Sequence, residues 1–328
     1  PFMGQADPVR FSLNPSHWVW LPDDEMDGAI SLRGSWTIPE PDPAHVDVDA
    51  DPAGGPLADL TALPVERWEE VAVPLHGRLT DLAHDTDTGR FLAVTDRHGV
   101  YVLDRSLSEV EHAVGLDPHF AVELTPLAGA AFIGDTLAAV STNKSYALLR
   151  PDAEADEDYE WRHFLTTSGG VAELRRSRLA TVRAKQMYIL SAAYDPDADE
   201  LVTVSVPSPR HQRMVISRFD RSDLVLSSEF LPRIGPDLTL AGPDRSLAEY
   251  VVTGAVAADG MLYAVSAAYS TVLQVDLAAR TLVAAHAVPG IEQPVGIALR
   301  GEEWLIAQAD GRVAVVARPG RPERSGLE

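Results

Sequence analysis

Two carboxylates and a scatter of cationic turns are the residues in this chain best suited to chemistry. Asp81 stands early in one short apolar stretch, and Asp96 ends the next. Two such carboxylates on neighbouring strands can act as an acid and a base, or share a divalent cation. Asn143, Glu123 or Asp310 would complete the oxygen set. The turn Asp96-Arg97-His98 has counterparts at Asn143-Lys144 and at Arg210-His211, and Arg183 and Lys185 lie in a longer connection. Guanidinium and ammonium groups gathered in this way suit a phosphate, a carboxylate or an acidic protein surface. His98 and His211 could also ligate a metal with Asp96 as a third donor. The plainer alternative is a channel lined by hydrated polar groups, with exposed turns that are polar for no further reason.

Three acidic stretches bear on calcium. Asp47, Asp49 and Asp51 alternate, as do Asp195, Asp197 and Asp199 before Glu200, and Asp85 and Asp87 precede Gly89. Alternating oxygen donors open a calcium-binding loop, but that loop needs glycine at its sixth position. Pro52 and Glu200 stand there instead. Calcium is therefore a candidate cofactor without a complete ligand set, and the metal is unknown.

The elements that must position these groups recur along the chain. LTDLAHDTDTGRFLAVTDRHGVYVLD, from Leu79 to Asp104, is echoed by segments that begin at Leu127, Leu190, Thr253 and Val295. Each has a small or polar residue, an apolar-alanine pair, a turn, a strand of the L-x-A-V kind, a second turn and a third strand. Repetition at roughly 40 to 65 residues marks stacked supersecondary units. A fourth strand follows in the first four units, at residues 108–114, 159–165, 224–231 and 281–288. The fifth unit ends near Arg318 without one. Four-stranded antiparallel units set radially make a β-propeller, in which only short edges stay exposed. The segment WEEVAV, Trp68–Val73, can supply the missing strand, so the sequence predicts five blades closed by an N-terminal strand. Six blades, with extra strands from residues 18–37, is the alternative.

In an antiparallel meander the turns alternate between ends. The turns after first and third strands carry Asp85–Gly89, Asp152–Asp158, Asp195–Glu200 and Asp259-Gly260, and form an acidic face. The turns after second strands and the links between blades carry Arg97, His98, Asn143, Lys144, Arg210 and His211, with His76, Arg78, His119, Arg183 and Lys185. This second face is the expected anion-binding one.

Composition limits the function classes. The 328 residues carry a net charge of −22, with 45% apolar residues and no cysteine. Such an excess of negative charge argues against binding a phosphate backbone, so no nucleic-acid partner is expected. Without cysteine there are no disulfides and no thiolate-bound zinc. No apolar run is long enough to span a bilayer. Residues 1–67 read as an N-terminal extension with a Pro/Asp-rich linker, 68–318 as the propeller and 319–328 as a tail. A start at Pro1 suggests an export signal or anchor removed beforehand, hence a periplasmic or extracellular location. The nucleophile elbow, the zinc-protease helix, the phosphate-binding loop and the dinucleotide fingerprint are all missing.

The repeated unit resembles the blades of extracytoplasmic propellers of the NHL/lactonase and esterase-like phytase type. The likeness covers roughly Leu79 to Arg318, with a match at Ala93-Val94-Thr95-Asp96. Asp81 stands where the pattern has Gly or Glu, and His84-Asp85 where it has Tyr-Asp. The resemblance implies phosphoester or lactone hydrolysis, for which Asp81 and Asp96 around a divalent cation are the catalytic candidates that the residues offer. The residues themselves favour a binding or interaction module for an anionic ligand or partner, held by the cationic face.

Overall fold

The computed structural model describes residues 55–58, 60–97, 99–114, 126–134, 136–142, 146–149, 159–162, 188–207 and 212–320. Strands β1 (Thr61–Ala62) and β2 (Arg67–Glu70) precede the repeats. The first blade is β3 (Leu79–His84), β4 (Phe91–Thr95), β5 (Val100–Leu103) and β6 (Val110–Val114). The second is β7 (Leu127–Ile133), β8 (Thr136–Ser141), β9 (Tyr146–Leu149) and β10 (Tyr159–Arg162). The third is β11 (Tyr188–Asp195), β12 (Glu200–Val206), β13 (Val215–Asp220) and β14 (Leu226–Phe230). After a two-residue strand β15 (Arg233–Ile234) comes the fourth: β16 (Val252–Ala258), β17 (Met261–Ser266), β18 (Thr271–Asp276) and β19 (Thr281–Ala287). Finally β20 (Pro294–Arg300), β21 (Glu303–Gln308) and β22 (Arg312–Ala317) make three strands of the fifth.

The fourth strand of that last blade is β2, antiparallel to β22 with Trp68 opposite Ala314. The protein is a five-bladed β-propeller closed by an N-terminal strand. First strands neighbour one another around the ring, β3 to β7, β11, β16 and β20, and β20 returns to β3. Second strands are covered by a blade on each side, which explains why FLAVT and MLYAVS are buried along their whole length and read as continuous apolar runs. An ion-pair lattice fastens the closure. Arg67 and Arg300 each reach both Glu69 and Glu303, at 2.6 Å for the tightest contact of each.

The segment 232–249 does more than link the third blade to the fourth. β15 adds in parallel to β19 at Thr281, and β1 adds in parallel to its other end at His286. Leu57 bridges Leu240 beside them. Together they cover the outer edge of the fourth blade, which would otherwise present unpaired backbone groups.

Candidate functional site: a blind funnel beside a sealed neck

Every first strand carries a register shift at one level, between Leu79 and Asp81, Leu127 and Gly129, Ile189 and Ser191, Val252 and Gly254, and Pro294 and Gly296. Each bulge inserts one residue and turns the next towards the axis. Those next residues are Asp81, Gly129, Ser191, Gly254 and Gly296. Glycine is required here because the strands touch backbone to backbone. A Cβ on Gly254 would lie 2.5 Å from the Gly296 Cα, and one on Gly129 would lie 2.6 Å from the Ala192 nitrogen.

Asp81 fills what remains of the axis and is 1% exposed. Its Oδ1 accepts the Leu82 N–H at 2.9 Å, and its Oδ2 accepts the Ala130 N–H at 3.0 Å and the Ser191 hydroxyl at 3.3 Å. Ser191 Oγ in turn accepts the Ala255 N–H at 2.8 Å. One carboxylate and one hydroxyl thus link four blades across the neck. Burial pushes the Asp81 carboxyl well above the usual range, against the pull of the Ala130 and Leu82 amides and the Ser191 hydroxyl.

On one side of this neck the first strands splay into a cavity of about 210 Å³ to which all five contribute. Its deep wall is Ala130, Ala192, Ala255 and Ile297. Counting three residues on from each neck position gives the next ring: His84, Phe132, Tyr194, Ala257 and Leu299. All five line the cavity, as do Asp85, Thr86 and Asp87 at its lip. The funnel therefore opens on the side of Asp85 and Asp87, not on the side of residues 76–78 and 96–97.

His84 has a fixed orientation. Its Nδ1 lies 2.8 Å from the Leu299 carbonyl, which can only accept, so Nδ1 carries the proton and Nε2 keeps a lone pair. Burial holds the imidazole below its ordinary pKa, with the Leu299 bond opposing, so it is neutral near pH 7. Asp85 shapes its own turn by accepting the Asp87 N–H at 3.0 Å and the Thr88 hydroxyl. Tyr194 donates to Asp199, which also pairs with Arg221 at 3.5 Å.

The sequence-selected residues separate. Asp81 lies in the neck, opposite Val94, whereas Asp96 lies just past the end of β4 on the side away from the funnel, where Oδ1 accepts the Arg78 N–H at 2.8 Å and Oδ2 faces Arg78 Nε at 3.5 Å. Gly77, at φ +95°, lets that turn close over Asp96. Arg97 is exposed next to it, as is His76. Asp310 bonds Arg312. His98, Asn143, Lys144, Arg183, Lys185, Arg210 and His211, with Glu123, His119 and residues 47–51, lie outside the described residues. Among the described residues, no three histidines, aspartates or glutamates are placed to share a metal ion, and Asp195 instead faces Arg218 at 3.5 Å. His84, Phe132 and Tyr194 were not selected from sequence as site residues. Their signal was available, since each sits three positions after the aligned Asp81, Gly129 and Ser191.

No protein-family model matches this chain, and no curated protein matches it in sequence. Solved structures do resemble it. Myxococcus xanthus glutaminyl cyclase is 13% identical, with 78% of this chain and 97% of that one covered at a TM-score of 0.48. The β-propeller domain of Myceliophteria thermophila Cps50 (Swd1) is 8% identical, with 77% and 100% covered at a TM-score of 0.44.

Proposed function

We propose that this propeller is a binding module that takes a small ligand in the funnel formed by the ends of its five first strands. The observation that supports this reading is a concave, mainly apolar cavity with a few fixed polar groups, closed at the bottom by the Asp81 neck. Rigid pockets of that composition are where ligands are held. A volume of about 210 Å³ restricts the occupant to a molecule, or a molecular end, of a few heavy atoms. Hydrolysis by Asp81 and Asp96 draws less support, because Asp81 is enclosed by its three donors and Asp96 is engaged with Arg78.

For the opposite face we propose an anionic ligand or acidic partner surface, supported by the exposure of His76, Arg78 and Arg97 on that side. The funnel is tested by fragment screening with protein-observed NMR. A bound fragment should show Overhauser contacts to the Phe132 and Tyr194 rings. Contacts confined to residues 76–78 and 96–97, or no binding from a broad fragment set, would refute it.

A further inference from the structure

We infer that the ligand of the funnel is a small organic ammonium ion, held between the Phe132 and Tyr194 rings and the carboxylates of Asp85 and Asp87. This deepens the binding reading and rests on it. Three separate observations converge. First, two of the five residues in the middle ring are aromatic and partly open to the cavity, and aromatic faces attract alkylammonium groups through the ring quadrupole. Second, His84 of that ring offers an acceptor, because the Leu299 carbonyl fixes its Nδ1–H tautomer and leaves the Nε2 lone pair free of a proton.

Third, the charge at the mouth is negative once ion pairs are matched. Arg221 is offset by Asp199, and Arg318 faces both Asp259 and Glu302. Arg300 and Arg67 are offset by Glu69 and Glu303. Arg105 braces the same turn by donating to the Thr88 carbonyl at 2.8 Å, and Asp104 beside it caps residues 106–109. Asp85 and Asp87 stand in excess. Alanine walls below exclude hydrogen-bonding competitors and match methyl or methylene groups around a nitrogen.

The test uses three probes of similar shape and different charge on the full chain: tetramethylammonium, tert-butanol and pivalate. Chemical-shift titration should give saturable binding of tetramethylammonium with shifts at Phe132 and Tyr194, at least tenfold tighter than tert-butanol, and no saturation with pivalate. Asp87→Asn, on an exposed turn, should weaken the cation three- to tenfold. Tyr194→Phe should retain binding, and Tyr194→Leu should lose it about tenfold. If tert-butanol or pivalate binds in the funnel as tightly as the cation, the ammonium assignment is overturned while the funnel stands. If none of the three binds there, both fall.

Discussion

Replacing Asp81 tests whether the neck is held by shape or by charge. Asp81→Ala leaves the Leu82 and Ala130 N–H groups and the Ser191 hydroxyl buried without an acceptor. Each orphaned donor costs about 1–3 kcal/mol, and the loss of a desolvated carboxylate offsets part of that. A net destabilisation of about 3 kcal/mol is expected, which at roughly 2–4 °C per kcal/mol lowers the melting temperature by about 6–12 °C. Asp81→Asn behaves differently. Its carbonyl oxygen can accept both inter-blade donors, but its NH2 group faces the Leu82 N–H donor to donor, so a loss of about 1–2 kcal/mol is expected, smaller than that of the alanine variant. The pH dependence separates the two explanations further. The folded Asp81 carboxyl titrates well above the ordinary aspartate range, so between those two values the native protein holds a proton that the unfolded chain has released. Stability therefore falls as pH rises through that interval; Asp81→Asn should lack this slope, so the difference between parent and variant isolates it. Calorimetry from pH 4 to 8 reads both effects. An alanine variant melting within about 1 °C of the parent, or an asparagine variant as unstable as the alanine one, would refute this account of the neck.

Glycine at the neck gives a second test. Gly254→Ala sets a Cβ against the Gly296 backbone and should cost about 3 kcal/mol or more, whereas Gly260→Ala, at φ +71° with open space around it, should cost about 1 kcal/mol from strain alone; urea titration compares them. His286 packs near Trp304 with both ring nitrogens buried and unpaired, and burial lowers its pKa. Its contribution to stability is present above the unfolded histidine pKa and is lost as pH falls below about 6.5, so His286→Leu should flatten the acid limb of a melting-temperature profile. Arg97→Glu should weaken binding of an acidic partner without changing the melting temperature by more than about 1 °C, as measured by affinity and calorimetry in parallel.

Blade number and phase were legible because the repeat is written in residues that packing constrains: the apolar second strands, and the small residue that aligns Asp81 with Gly129, Ser191, Gly254 and Gly296. The closing strand could be found because one unit lacked its fourth. The funnel was not legible. Its walls come from five strands up to 216 residues apart in Ala83 to Leu299, and the bond that sets the His84 tautomer joins positions 84 and 299. Sorting turns by charge separated an acidic face from one expected to be cationic, most of whose residues lie outside the described ones, but charge does not reveal on which side of a neck the strands splay. That depends on bulges one residue long. β1 and β15, two residues each, are too short for any alternation to show.

The clasp of residues 67–70 against 312–315 has a consequence for how the domain comes apart. An open repeat array frays from its ends, each terminal unit loosening with little effect on the rest. Here the earliest strand of the ring and the latest are partners in four residue pairs, so fraying at either flank is one event. Amide exchange in β2 and in the β22 amides bonded to it should therefore occur at the same rate, set by release of the clasp, while the β22 amides bonded to β21 exchange more slowly.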